Sequence, residues 1–418
     1  MGFFENCTLD QRFTLNKFSW TPRGRYALVY DFDQRRAIKL YMADDDNSKD
    51  EDFVFETLAR HLDRGAVRSD SVWIQVSPDG NHLVDQGSQV EEDYTVIPCY
   101  WTRADFAPNL PVVRRSDLVE LDRLGLQVDR ASYEVTPGHV KEVAFKYNFY
   151  ENNIQFFWDE INCVIGIQSR GLHPHIVPFD RLVVETVNGV EKVVGFTTDF
   201  IPGDTVDDAK TRLFKLKYLH QLIETIDYLN LELGVVHGDV LSWNLLIDTR
   251  TDNLVLFDFN SAFPLVHKPE VSDVDLAVVA MFDVITRDLG AALDDGETSP
   301  QEVDGSQLLA LDDDAWEKDP EVSLDADVSE FRRVLREWVE RRRRNEEDES
   351  ARNPIAWPDP PDLPLVNCSG VMEPRESQMR QRMIMAGEPY MTWQRPSSRE
   401  LRLRDNRGKR LLATGQFA

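Results

Sequence analysis

The sequence predicts a mixed α+β chain, a two-lobed α+β domain preceded by a smaller α+β module. Three observations carry this expectation. Residues 1 to about 108 alternate short β-rich runs with turn signals around a single helical stretch. Residues 117 to about 289 run strands, one helix, a hairpin and then long helices. At 418 residues and 42% hydrophobic side chains, the chain can fill two or three cores at the usual scale of about 150 residues each.

In residues 1–108, Arg25–Phe32 and Arg36–Tyr41 read as strands, an acidic loop follows, and Phe53–His61 reads as helix. Ser77-Pro78-Asp79-Gly80 turns the chain between two further strands. The aperiodic, proline-bearing stretch Trp101–Pro111 ends this module. Residues 109–203 form the next unit, in which Val183–Val194 is a hairpin, because Asn188-Gly189 tolerates the positive φ angles of a type I′ turn. Residues 204–345 hold the long helices. Leu219, Leu222, Ile223, Ile226, Leu229 and Leu233 recur at helical spacing and stop at Gly234, a left-handed cap.

Between residues 291 and 330 there are fourteen acids and one lysine, a composition that predicts a mobile insert. An amphipathic helix follows, with Phe331, Val334, Leu335, Trp338 and Val339 on one face and Arg341–Arg344 at its C-terminus, where the helix dipole favours cations. Residues 346–418 begin as a connector carrying Pro354, Pro358, Pro360, Pro361 and Pro364. They end in a tail with ten Lys/Arg against five acids from Val371 onward, suited to pairing with the acidic insert or with a protein partner.

The whole chain has 47 basic and 74 acidic side chains, a formal charge of −27, which argues against nucleic-acid and anionic-membrane partners. Cys7, Cys99, Cys163 and Cys368 are far apart and form no C-x-x-C pair, so a reducing compartment is expected. The first thirty residues lack the apolar block of a secretory leader, and Asn6 stands where an N-myristoylation motif needs Ser or Thr. The expectation is a soluble protein of the cytoplasm, with the nucleus also open to it.

The segment that carries chemistry is Val235-Val236-His237-Gly238-Asp239-Val240-Leu241-Ser242-Trp243-Asn244, followed by Leu245–Asp248, a turn at Asp252-Asn253, and Leu254-Val255-Leu256-Phe257-Asp258-Phe259-Asn260. Two apolar strands flank a loop with one carboxylate and one carboxamide, and the second strand ends in another carboxylate. Such an oxygen set suits Mg²⁺ shared with substrate phosphates, and an Asp outside the metal shell can orient and deprotonate a hydroxyl. This segment resembles the protein-kinase-like superfamily, whose catalytic loop reads His-x-Asp-x-x-x-x-Asn and whose metal strand ends in Asp-Phe-Gly.

The resemblance implies a bilobal kinase-like fold with an ATP- and Mg²⁺-dependent phosphotransferase activity. Asp239 would be the catalytic base, Asn244 and Asp258 the magnesium ligands, and His237 and Phe259 the residues packing the loop. Upstream, Glu142-Val143-Ala144-Phe145-Lys146 resembles the Val-Ala-Ile-Lys strand, so Lys146 would hold the nucleotide phosphates with Glu160 as its helix partner. Thr198, Asp199, Phe200 and Ile201 would form the hinge that meets adenine, and Asp273 would brace the catalytic loop. Leu172–Val177, with His173 and His175, resembles the family's turn after that helix. Arg36-Ala37-Ile38-Lys39 with Glu56 is a rival lysine strand that lies 200 residues before Asp239, against 93 for Lys146.

The departures matter too. Val119–Val135 holds only Gly125 where a phosphate lid would carry several glycines. Leu241 replaces a lysine that neutralises the transferred phosphate, Asn260 replaces the glycine after Asp-Phe, and Gly238 replaces an arginine that grips a phosphorylated loop. No Ala-Pro-Glu follows in the short span to Asp273, so an enzyme not switched by loop phosphorylation is expected. The acceptor is a hydroxyl of protein Ser/Thr or of a small molecule; the alternative is a pseudokinase without turnover.

Overall fold

In the computed structural model the described residues are 3–42, 49–98, 100–150, 154–208, 213–265, 271–292, 299–344, 351–361, 375–403 and 409–418. The acidic loop after Met42, Cys99, Cys368, Pro364 and part of the span before Asp273 lie outside them. The chain is mixed α+β and divides into two compact units. The first comprises Met1–Ile154, Asp180–Phe200 and Pro361–Ala418; the second comprises Gln155–Phe179 and Ile201–Pro360.

The first unit opens with two single helical turns, α1 (Phe3–Asn6) and α2 (Leu9–Arg12). A five-stranded sheet follows in the order β1 (Phe13–Thr21), β2 (Gly24–Asp31), β3 (Arg36–Met42), β4 (Trp73–Val76) and β5 (Leu83–Gly87). β3 and β4 run parallel, and the crossover between them is α3 (Glu51–Asp63). Asp50 starts this helix by accepting from the Phe53 N–H at 3.1 Å, and Glu51 and Asp52 favour its positive end. Its apolar face, Val54, Phe55, Leu58 and Leu62, packs on Ala27, Val29, Ile38, Leu40 and Ile74. Nearly every residue of β2 and β3 is buried, as expected of central strands covered on both faces.

A second sheet in the same unit has the order β6 (Val112–Arg114), β10 (Phe179–Val187), β11 (Val190–Asp199), β9 (His139–Tyr147), β8 (Val128–Thr136) and β7 (Val119–Arg123). Asn188 and Gly189 join β10 to β11 at φ 52° and 74°, the two positive angles of the anticipated turn. Helices α10 (Arg375–Met385) and α11 (Ser398–Leu403) complete the unit. The chain end lies along β7, where the Glu120 N–H donates to Leu411 O at 2.8 Å and the Ala413 N–H to Leu118 O at 2.9 Å.

Buried ion pairs tie these pieces together. Arg395 reaches Asp129 at 2.7 Å and Glu120 at 3.0 Å, Arg123 reaches Glu120 at 2.8 Å and also pairs with Asp33, and Arg35 pairs with Asp129. Burial would raise the Glu120 carboxyl, but Arg395, Arg123 and Arg35 outweigh it and hold it below the ordinary carboxylate range. The tail cations Arg380, Arg395 and Arg399 are therefore engaged inside the first unit, on Glu91 O, the acid cluster and Asp63 O respectively.

The second unit holds α4 (Ile154–Ser169) from Gln155 onward and α5 (Leu216–Asp227), with β12 (Leu213–Phe214) paired to β17 (Ser323–Leu324). Beyond α5 the expected single helix changes form. Tyr228–Glu232 is a π-helical turn, closed by the Leu233 N–H on Tyr228 O at 3.1 Å, and Gly234 then takes φ 63°. β13 (Val235–Val236) pairs with β16 (Phe263–Pro264), and β14 (Leu245–Asp248) with β15 (Asn253–Leu256). The central helix α6 (Asp273–Thr286) is apolar almost all round, with Leu276 to Phe282 buried, and packs against α5, α7 (Leu289–Ala292), α8 (Gly305–Ala310) and α9 (Val328–Arg344).

The acidic stretch, expected to be mobile, is folded from residue 299 onward; residues 293–298 lie outside the described residues. Leu308, Leu309 and Trp316 are buried, Trp316 meets Phe282 edge to face at 5.0 Å, and Arg332 donates to Leu309 O at 3.2 Å. A charge count hides these few apolar anchors, which bury enough surface to fix the segment. Among the described residues no helix is long and apolar enough to cross a membrane.

Candidate active site

The β14–β15 hairpin places its two open ends side by side. Leu245 pairs with Leu256, so the residues just outside the ladder, Asn244 and Phe257, are neighbours, and the Phe257 N–H donates to Asn244 O at 3.2 Å. Asp258 comes next. Its φ is 64°, a left-handed backbone that Asp tolerates better than most residues but still at some strain. Asn260, which stands in place of the glycine after Asp-Phe, is not among the residues of positive φ.

The loop from His237 to Asn244 is held from both sides. Asn244 donates to Asp239 O at 2.9 Å and to Asp239 Oδ2 at 2.7 Å, and the Trp243 indole N–H donates to the same Oδ2 at 3.2 Å. Among the described residues no donor reaches Asp239 Oδ1 or Asn244 Oδ1. Trp243 was not anticipated; its signal was its place between Asp239 and Asn244, and it is 40% exposed. Ser242 is buried and donates to Asp283 Oδ2 at 3.0 Å.

His237 Nδ1 accepts from the Asp239 N–H at 3.3 Å, so Nε2 carries the proton and donates to Phe257 O at 3.1 Å. One imidazole thus fastens the loop to the residue preceding Asp258. Phe259 is 1% exposed and meets the His237 ring at 4.8 Å. Below them, the buried Asp273 carboxylate accepts from the His237 N–H at 2.8 Å and the Gly238 N–H at 2.9 Å, from the first turn of α6. Gly238 has φ 77°, and a Cβ there would lie 2.4 Å from Ser261 O, so no side chain fits at this position.

Asp239, Asn244, Asp258, His237, Phe259 and Asp273 are therefore gathered in one unit. Glu160 belongs to the same unit, on α4, and is buried. Lys146 belongs to the first unit, on β9 between Val128 of β8 and Phe196 of β11. Thr198 and Asp199 pair with Ala144 and Val143, Lys141 holds Asp199 at 2.6 Å, and the Arg130 guanidinium lies over the Phe200 ring at 4.4 Å. The division between the units falls between Phe200 and Ile201, inside the segment read as a hinge. The rival pair is not formed: Lys39 bonds Glu92 at 2.9 Å, and Glu56 is exposed.

The donors fit a magnesium ion that takes most of its ligands from elsewhere. Asn244 Oδ1 and the Asp258 carboxylate are hard oxygens at the same end of one hairpin, and two such ligands suffice when phosphate and water supply the rest. Among the described residues no group of three or more His, Cys, Asp or Glu is gathered as a metal site, so a cage built wholly of such side chains is not found there. Leu241 is 1% exposed and belongs to the core, and the groups that hold Asp239 Oδ2 are neutral. The chain matches no protein-family model.

Proposed function

We propose that this chain is an ATP- and Mg²⁺-dependent phosphotransferase with a bilobal protein-kinase-like fold and an added N-terminal module, acting on a hydroxyl acceptor, protein Ser/Thr in the first place. The observation that carries the reading is the anchored Asp239. Two neutral donors fix one carboxylate oxygen and leave Oδ1 to accept the proton of a hydroxyl. Asn244 and Asp258 would hold a divalent ion, which when bound would offset the negative charge of the phosphoryl oxygens. Asp273 and His237 keep the loop in one conformation, so little reorganisation is needed when an acceptor arrives.

The nucleotide-side roles of Lys146, Glu160 and the segment Thr198, Asp199, Phe200 and Ile201 rest on the resemblance alone. Purified full-length protein with Mg-ATP should release ADP or label an acceptor, and Asp239→Asn should abolish this while nucleotide binding persists. Equal, negligible turnover in both proteins would overturn the assignment.

One observation favours the second reading, a pseudokinase. At the tip of the β7–β8 hairpin the Leu124 and Gly125 N–H groups both donate to Val128 O, at 2.9 and 3.1 Å, and so are not free to hold phosphate. Nucleotide binding without ADP release would decide for it.

A further inference from the structure

We propose that Asn230 and Arg342 are positioning residues that set the catalytic loop through Asp273, which rests on the phosphotransferase reading for its catalytic consequence but not for its structural one. The path is continuous and lies within the second unit. Arg342 Nη2 donates to Asn230 Oδ1 at 3.2 Å, and Asn230 Nδ2 donates to Asp273 Oδ2 at 2.8 Å. That carboxylate in turn receives the His237 and Gly238 amides.

Each member is buried: Asn230 is 3% exposed, Asp273 2% and Arg342 7%. In such surroundings a polar group left without a partner is costly, so the bonds hold one another in place. Asn230 has no slack. Its amide also donates to Val235 O at 2.8 Å, the strand entering the loop, so both kinds of atom in its side chain are in use.

The π-helical turn is what allows this. Its closure spans five residues, Leu233 N–H to Tyr228 O, so one more residue fits into the turn than in an α-helix. Leu229 and Leu233 stay in the core while Asn230 is buried against the loop. Arg342 is fixed in turn by Asp227 at 2.8 Å, the last α-helical residue before the turn, which also accepts from Trp338 Nε1 at 2.9 Å. Helix α9 thereby supplies a guanidinium to a network that ends at the His237 and Gly238 amides of the loop. Gly238 offers no side chain to a phosphorylated segment, and Arg342 sets the loop without one.

The test uses full-length protein and two readouts: amide hydrogen exchange at His237 and Gly238, and kcat and KM for ATP in an ADP-release assay. Asn230→Asp keeps an acceptor for Arg342 but sets a carboxylate against Asp273. It should speed exchange of both amides about tenfold or more and lower kcat about as much, leaving KM within about twofold, as loss of one charge-assisted bond implies. Arg342→Lys retains a cation for Asp227 but not the two-pronged reach; it should move both readouts the same way by less, and it carries the test if Asn230→Asp does not fold. Arg341→Gln removes a half-exposed cation that touches Asp227 at 3.1 Å, and should change neither. Faster exchange with no turnover in the wild type supports the relay and overturns the phosphotransferase reading. Unchanged exchange in both relay variants overturns the relay, whatever happens to the melting temperature, and leaves that reading standing where wild-type turnover is seen.

Discussion

Asn244 gives its side-chain amide to Asp239 twice, to the backbone carbonyl at 2.9 Å and to Oδ2 at 2.7 Å. The carboxamide that would hold the metal is thus the same group that orients the base. Trp243 shares Oδ2 from the opposite side of the sequence step. Trp243→Phe removes that donor but keeps the exposed ring, so stability should change by no more than about 0.5 kcal/mol. The Asp239 rotamer loosens, and kcat for ADP release should fall about two- to tenfold with ATP KM unchanged. An unaltered kcat would show that the indole bond does not matter to the base.

Asp258→Asn keeps a residue that tolerates left-handed backbone and removes the charge. The fold should be retained within about 1 kcal/mol. Calorimetric titration with ATP should lose its dependence on Mg²⁺, and an unchanged dependence would remove Asp258 from the metal site.

Gly238→Ala brings a Cβ to 2.4 Å from Ser261 O at a positive φ. The left-handed backbone alone costs about 1–2 kcal/mol, and the overlap with a backbone oxygen adds to it. The unfolding midpoint in denaturant should drop by the equivalent of at least about 2 kcal/mol at unchanged slope.

His173 stacks on Tyr228 at 4.6 Å and its Nδ1 accepts from the His175 N–H at 3.3 Å. Burial, helped by His175, pushes its pKa from 6.5 down to about 4. The unfolded chain takes up this proton first, so the stabilisation is whole above about pH 6.5 and is lost as pH falls through about 4. Against His173→Phe, which keeps the stacking, the wild type should lose relative stability between pH 7 and pH 4 in parallel chemical melts. A difference that stays flat across that range would contradict the assignment.

Arg395→Met leaves Glu120 and Asp129 facing the core with one cation fewer. Breaking a buried pair from one side costs about 3–5 kcal/mol. Thermal melts of the full-length protein should show this loss, although position 395 lies 266 residues from Asp129 in sequence.

Local features were legible in the sequence. The Asn188-Gly189 turn, the cap at Gly234 and the buried face of α9 each depend on residues a few positions apart, where turn chemistry and helical period act directly. The nearness of Asn244 to Phe257, the residue before Asp258, follows from hairpin register and was legible for the same reason. The π-helical turn was not, because Leu229 and Leu233 keep an apolar spacing that an α-helix also satisfies. Lys39 matched a motif in letters, yet its neighbour in space is Glu92. The place of the tail was hidden by distance: Arg35 donates to Ala413 O across 378 residues, and no window of sequence reads such a bond.

The interleaved course of the first unit has a bearing on biosynthesis. Its β7 flank and its acid cluster are filled by Arg395 and Ala413, so β7 and β8 wait on partners synthesised much later, Asp129 on an arginine 266 residues downstream. The second unit, encoded almost entirely before that point, can settle first. A premature stop between Pro360 and Arg395 would therefore spare the second unit and cripple the first.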